Sequence, residues 1–372
     1  MKILALTKYS YEGPSSRYRF YNYKECFKEN YIEMTIKPFF SRSYFVTDSK
    51  EKKLFIVLFS YVQRFFLLVN LLIFRTKYNL VLIEYELFPY FPSVFEYLLH
   101  KRGIKYIVDY DDAIFHKYDM SNNKIIQGLF NNKIAKVMKY ADHVIVCNAY
   151  LEAYAKKHNE HTFKLPTVVL LDKYKQEVET FKKDGNDVFV IGWIGSRTTS
   201  VYVLDILAAM EKFVNTYENI RFDLLGFDAS LLSLEEIERL HINIIPWEEE
   251  KEIENILTFD VGIMPLHDDP WSRGKCSFKL VQYMSCSKPV IASPVGMNCT
   301  LVKNDENGFL VETIDEWFKA FEKLYLDEKL RGKIAVNNFT KIELEYNHEI
   351  NCRNYLDLLK NTLHDKEKGK VC

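Results

Sequence analysis

A histidine, two aspartates and a group of cations crowd one segment of the chain: His267, Asp268, Asp269, Arg273 and Lys275, with Lys279 close behind. They lie in the stretch from Asp260 to Gly296, which opens on the apolar run VGIMPL, passes a polar loop, takes up an amphipathic helical pattern and returns through PVIAS. A loop between the carboxyl end of a strand and the amino end of a helix is where open α/β sheets bind ligands and where exposed N–H groups favour anions. Arg273, Lys275 and Lys279 surround the expected helix start, and Lys275 and Lys279, four apart, are expected on one helical face. A second cationic junction occurs in VIGWIGSRTTS. There Gly192 and Gly195 end a strand, and Ser196, Arg197, Thr198 and Thr199 open the next helix. Backbone N–H groups, hydroxyls and a guanidinium at that place suit a diphosphate. Plainer readings stay open at both junctions: a tight turn with Ser196 or Thr198 as helix cap, and solvated surface charge for any one lysine.

The first half carries chemistry of the opposite sign. Asp109, Asp111 and Asp112 sit in DYDDAIF at the end of a strand. Carboxylates projecting from a strand end can orient a hydroxyl, accept its proton or steady developing positive charge; a helix cap and a hard-cation site are the alternatives. Gly13 to Arg19 is a glycine-containing loop opening the first helix, from which Arg17 and Arg19 are expected to reach phosphate, or simply to solvate that helix. Glu84 and Glu86 end the third strand, and His116 is expected at the surface. Trp193 and Trp247 are expected to pack, although a loop aromatic can stack on a ligand ring.

The elements that must position these groups follow a β-α-β rhythm. Strand candidates in the first half are KILALT, IEMTIKPF, 80 to 87, 106 to 111 and 143 to 148, with helical patterns around 16 to 29, 52 to 75, 92 to 101, 123 to 140 and 149 to 158. The charged run 172 to 187 is expected to be a linker. Beyond it the pattern restarts with DVFVIGWIGS, RFDLLGF, INIIPW, the Asp260 stretch and NGFLVE, separated by helical patterns and followed by helices to the end. This alternation predicts parallel, doubly wound sheets in two Rossmann-like halves, because helices must cover both faces of each sheet. The chain of 372 residues, 48% hydrophobic with 13 Gly and 10 Pro, is too long for one core. The last residues, HDKEKGKVC, read as a frayed tail.

Fifty basic against 51 acidic residues leave a net charge of -1, so no global field draws nucleic acid and none is expected as a partner. The seven cysteines are scattered without a CxxC pair, which predicts free thiols and no cysteine zinc site. MKILALTK reads as a first strand without a secretory leader's features, which places the chain in the cytoplasm. Leu54 to Phe74 is about as long as a membrane span but is interrupted by Gln63, Arg64 and Asn70. The leading expectation is a largely buried helix on a sheet. A membrane-surface helix, flanked by Lys50, Lys52, Lys53, Arg75 and Lys77, and a true span are the alternatives.

Taken together, Gly192-Trp193 through Arg197, Gly226, Pro246-Trp247, DDPWSRGKCSFKLVQYM, KPVIASPVG with Asn298, NGFLVET and the DEW at 315 to 317 resemble the C-terminal half of family four retaining glycosyltransferases. More narrowly they resemble a bacterial subgroup that assembles lipopolysaccharide, capsule or other surface polysaccharide. The likeness is dense over 188 to 325 and thinner in the first half, where GPSSRYR, DYDDAIF, VIVCNAYL and KLPTVV carry it. It implies an α/β fold with two Rossmann-like domains facing across a cleft (GT-B type). The implied division is an acceptor-side domain over 1–175, a nucleotide-sugar-binding domain over 188–342, and a final helix over 343–372 crossing back. The implied activity is transfer of a sugar, with retention and without a metal or other cofactor, from a nucleotide-sugar donor to a glycan or polyprenyl-linked acceptor, in the cytoplasm or, as the alternative, at the inner face of the cell membrane. On that reading Asp111, Asp112, Arg197 and Lys275 are catalytic. Gly13, Arg17, Gly195, Ser196, Arg197, Asp268, Asp269, Lys275, Lys279 and Gln282 bind donor, and Arg19, Glu84 and Asp109 bind acceptor. The family's two glutamates fall on Gly274 and Gln282, and where many relatives have a histidine after the fourth strand this chain offers Asp109, Asp111 and Asp112, with His116 close behind as the missing imidazole or a surface residue. A catalytically silent nucleotide-sugar binder and a nucleotide-sugar epimerase therefore remain as alternatives.

Overall fold

The computed structural model describes residues 1–47, 49–74, 78–181 and 187–368, with side chains to 363. Twelve strands fall in two all-parallel sheets of six. In the first sheet β1 (Lys2–Leu6), β2 (Glu33–Ile36), β3 (Leu80–Glu84), β4 (Tyr106–Tyr110), β5 (His143–Val146) and β6 (Thr162–Lys164) are ordered β2-β1-β3-β4-β5-β6. In the second, β7 (Phe189–Ile194), β8 (Ile220–Leu225), β9 (Ile242–Ile245), β10 (Val261–Met264), β11 (Val290–Ala292) and β12 (Gly308–Leu310) are ordered β12-β11-β10-β7-β8-β9. The central strands are buried at every position, LVLIE and YIVDY in the first sheet and FVIGWI and VGIM in the second. That is why they read as continuous apolar runs: a parallel sheet covered by helices on both faces has no wet side. Two Rossmann-like α/β units result, as expected.

The sequence patterns located every strand but β6, whose three residues TFK are partly exposed and carry no apolar run. Each sheet reverses direction beside its first strand. The chain leaves β1 toward β2 and returns on its other side as β3, and it leaves β7 toward β8 and returns as β10. Loops that diverge at such a switch point leave a crevice at the carboxyl ends of the strands.

The first unit comprises Met1–Thr167, Gly274–Cys276 and Glu349–Cys372, and the second Val168–Arg273 and Ser277–His348. The division therefore falls at 167/168 rather than near 175, and the run 172 to 187 is not a linker throughout. Leu171–Thr180 is a helix whose Leu171 and Tyr174 are buried in the second unit's core with Ile253, Leu257 and Tyr283. Buried apolar residues one turn apart are legible there only after the fact, because charges surround them. Residues 182–186 of the expected linker lie outside the described residues.

In the first unit the helix His348–Lys368 packs Tyr355, Leu356 and Leu359 against Tyr23 and Phe27. Asn351 Nδ2 donates to Pro166 O at 2.7 Å. The tail expected to fray from His364 is thus helical to Lys368. This packing also joins Cys26 and Cys352 in a disulfide, correcting the expectation of seven free thiols. A pair 326 residues apart leaves no spacing signal. The expectation of a largely buried helix over 54 to 74 is corrected as well: of Lys50–Phe74 only Ser60, Arg64, Leu68, Leu71 and Leu72 are buried.

Candidate functional site

In the second unit the polar groups gather beyond the carboxyl ends of β7 and its neighbours. Thr199 Oγ1 accepts from Ser196 N at 3.1 Å and donates to Ser196 O at 3.0 Å, and the Ser196 and Thr198 hydroxyls lie 3.0 Å apart. These groups cap the 3-10 helix Arg197–Ile206 and leave Arg197 exposed on it. From the helix Phe278–Ser285, Lys279 places Nζ 4.2 Å from the centre of the Trp193 ring and donates to Thr199 Oγ1 at 3.4 Å. Trp193 is fully buried, as a packing residue should be. Gly195 makes this convergence possible, because a Cβ there would lie 2.3 Å from the indole and 2.7 Å from Lys279 Nζ. The Lys279 ammonium and the hydroxyls of Ser196, Thr198 and Thr199 gather at a helix start as an anion cradle, a chemistry that suits a diphosphate, while the charge of Arg197 acts on Asp228.

Next to this cradle Gln282 is buried, and its Nε2 donates to Glu252 Oε1 at 2.5 Å. Glu252 Oε2 in turn accepts from Trp247 Nε1 at 2.7 Å. The Gln282 amide is therefore committed to a neighbour, and a carboxylate that sequence reasoning missed enters the same network. Nothing in the acidic run EEEKEIE singles out Glu252, since only its fold-dependent burial distinguishes it. Asp268 and Asp269 do not act as free carboxylates. Asp268 forms a two-point pair with Arg273 (2.6 and 2.9 Å), whose hydrogen bonds hold its carboxyl below the usual range. Asp269 accepts from Ser272 N at 2.8 Å and caps the short helix Pro270–Arg273. His267 Nε2 pairs with Asp205 Oδ2 at 2.5 Å.

Lys275 and Lys279 do not share a helical face. The helix begins at Phe278, after Ser277 in the left-handed region (φ 53°), and Lys275 falls in the segment 274–276 that belongs to the first unit. Asn148 Nδ2 holds this segment by donating to the carbonyls of Gly274 and Lys275, each at 3.0 Å, while its Oδ1 caps the helix Ala149–Ala155 through Leu151 N. A Cβ at Gly274 would lie 2.4 Å from that of Ala113, so this close approach leaves no room for a larger side chain.

In the first unit β4 ends among its carboxylates. Asp109 is spent on Arg19: Nε and Nη2 bind its two oxygens at 3.0 Å each, and Arg19 Nη1 donates to Leu165 O at 2.8 Å. Both side chains are buried, so the roles expected for them in contacting an acceptor are corrected to a structural pair. Arg17 is buried too, its guanidinium 5.1 Å from the Tyr18 ring and 5.5 Å from that of Tyr11, and so does not project as a phosphate ligand. Gly13 sits at the N-cap of the helix Pro14–Arg19. Glu84 Oε2 accepts from Lys8 N at 2.7 Å and Ser16 Oγ at 2.6 Å, tying that loop to β3, and burial pushes its carboxyl up to about 8. Glu86 accepts from Tyr118 Oη and Lys133 Nζ. His116 binds Asp119 Oδ1 at 2.9 Å and Tyr150 Oη at 2.8 Å, a half-buried structural group.

Asp111 and Asp112 remain at the strand end. Tyr85 Oη donates to Asp111 Oδ1 from a residue in the left-handed region (φ 63°). Tyr85 was not singled out in the sequence, where it reads as one more aromatic in LVLIEYEL. Burial and the Asp111 charge push the Asp112 carboxyl up, against the pull of Lys275, Lys117 and Lys8. A partly exposed carboxyl raised in this way is suited to proton transfer.

Residues 186–327 match the family model of Glycosyl transferases group 1. Over 212 residues the chain is 28% identical to a capsular polysaccharide biosynthesis glycosyltransferase, CapM, of Staphylococcus aureus; the match covers 54% of this chain and 53% of that protein. The chain thus spans about half the length of the curated relative it matches. In structure it is similar to a sucrose-phosphate synthase of Thermosynechococcus elongatus (TM-score 0.69, 16% identity, covering 98% of this chain and 100% of the other). It is also similar to the Anabaena protein HepE in complex with UDP (TM-score 0.66, 14% identity, 97% and 100% covered). At these identities the structures establish the fold alone, and the family match is confined to residues 186–327.

Proposed function

We propose that this protein transfers a sugar from a nucleoside-diphosphate sugar to a glycan or lipid-linked acceptor, with retention of anomeric configuration, in the synthesis of a surface polysaccharide. The observation that carries the reading is the cradle made by Gly195, Ser196, Thr199 and Lys279 at the switch point of the second sheet, with Arg197 exposed on the helix that Ser196 caps. A departing diphosphate gathers negative charge, and fixed cations and helix N–H groups stabilise it without reorganisation. In this proposal the second unit binds the donor and side-chain cations, not a metal, neutralise the leaving group. Within the first unit, Asp111 and Asp112 are the groups assigned to orient an acceptor hydroxyl and take its proton, and Lys275 offsets the charge of Asp112. The Gln282–Glu252–Trp247 chain braces the helix that carries Lys279. The capsular function of the S. aureus relative supports the polysaccharide assignment.

The test is a thermal-shift screen with UDP-, GDP-, ADP- and dTDP-sugars, followed by NMR of the product's anomeric centre. One nucleotide class should raise the melting temperature, and Lys279→Ala should abolish the shift and lower turnover by about 10²–10³-fold. An isomerised free nucleotide sugar would instead identify an epimerase. Binding without transfer to any acceptor would identify a silent binder.

A further inference from the structure

The helix Lys50–Phe74 turns its apolar side outward. Its inner row contains Ser60 and Arg64 before Leu68, Leu71 and Leu72. Arg64, only 4% exposed, donates through Nη2 to the carbonyls of Thr7 (3.1 Å) and Lys37 (3.0 Å). The outer stripe is Phe55, Leu58, Phe59, Val62, Phe66 and Ile73, each between 51% and 70% exposed. A helix that folds only to fill a core shows the reverse pattern, and soluble chains rarely leave a contiguous apolar stripe of this length in water.

Charge identifies what covers it. Lys50, Lys52 and Lys53 are exposed in the first turn, against the single acid Glu51. Cations there oppose the helix dipole, and only Lys53 among them meets an aromatic ring, that of Tyr44, but all three complement an anionic surface. A second copy of the same face would bring the same excess of lysines. The patch also continues toward the end of β3. Tyr61 Oη donates to Pro89 O at 2.6 Å, the Tyr61 ring lies 5.8 Å from Phe88, and Phe88 lies 5.6 Å from the exposed Phe91.

We propose that Lys50–Phe74 docks the first unit on a bilayer bearing anionic lipids. The helix lies in the plane of the surface, with its apolar stripe at the boundary of headgroups and acyl chains and its lysines against lipid phosphates. It does not span, because spanning would tear Arg64 from two backbone carbonyls and Leu68, Leu71 and Leu72 from the unit they pack in. This goes beyond the glycosyl-transfer reading and does not depend on it, since the test reads binding and not turnover.

The full-length protein is sedimented with phosphatidylcholine vesicles and with equimolar phosphatidylcholine–phosphatidylglycerol vesicles. Wild type should pellet with the mixed vesicles and be released by salt. Two triple variants, Phe55→Ser/Phe59→Ser/Phe66→Ser and Lys50→Gln/Lys52→Gln/Lys53→Gln, should each partition about tenfold less or lower while still melting cooperatively, because the side chains lie at the surface. Wild type left in the supernatant, or variants pelleting like wild type, would overturn the proposal. So would a concentration-dependent dimer that the phenylalanine variant dissociates while neither protein binds vesicles. Membrane-bound protein that resists alkaline carbonate would show a span and overturn it equally.

Discussion

Arg19 shows how a charged side chain expected at the surface becomes a core component. Its guanidinium satisfies Asp109 at two points and the Leu165 carbonyl at a third, so removing it leaves a buried carboxylate alone. Arg19→Met is expected to cost about 3–5 kcal/mol in urea unfolding, and Asp109→Asn added to it should recover part of the loss. Glu84 carries the opposite imbalance. Its folded carboxyl is raised to about 8 from 4.5, so its contribution to stability is full below about pH 4.5 and is lost as pH rises through 8. Glu84→Gln keeps an acceptor for Lys8 N and Ser16 Oγ and removes the charge. It should flatten the fall in melting temperature between pH 5 and 8 on an order-of-magnitude scale of about 1 kcal/mol or more. An unchanged pH profile would remove Glu84 as its source.

At the scale of elements, the strand end at Gly195 and the helix Phe278–Ser285 are held together by what Gly195 lacks. Gly195→Ala forces a methyl against the Trp193 ring, which is fully buried and cannot turn away. The expected cost is about 1–3 kcal/mol of stability, together with a smaller nucleotide-sugar thermal shift, because Lys279 loses its seat over the indole. A variant with an unchanged shift would separate the cradle from donor binding. Leu171–Thr180 illustrates how an element's role escapes its composition. Charges dominate its sequence, yet Leu171 and Tyr174 are enough to anchor it, so propensity for a linker lost to two buried contacts. Lys50–Phe74 is the converse, a helix by every sequence signal whose buried face could not be named without the carbonyls that receive Arg64.

For the whole molecule, the chain's last helix is part of its first unit. Tyr355, Leu356 and Leu359 complete a core begun by Ile3, Ala5 and Phe27, so ending the chain after residue 347 should leave the first unit's core open. Such a truncation is expected to lose cooperative thermal unfolding of that unit and to aggregate; a soluble, cooperatively melting product would contradict this. The amino-acid sequence by itself determined the two parallel α/β units, eleven of the strands and the junctions at Gly195 and Asp111, because apolar runs, helical periodicity and glycines at strand ends are local signals. It also located the departures at Gly274 and Gln282. Tertiary structure alone decided which charges are used up. Arg19, Arg17, Asp109, Asp268 and Asp269 find partners or burial, Lys275 parts from Lys279, and Glu252, Tyr85 and Asn148 enter the sites unannounced. The pairing of Cys26 with Cys352 belongs to the same class. The physical reason is common to all of them: whether a polar group is available depends on its burial and on a partner often many tens of residues away, and neither is written in its neighbours along the chain.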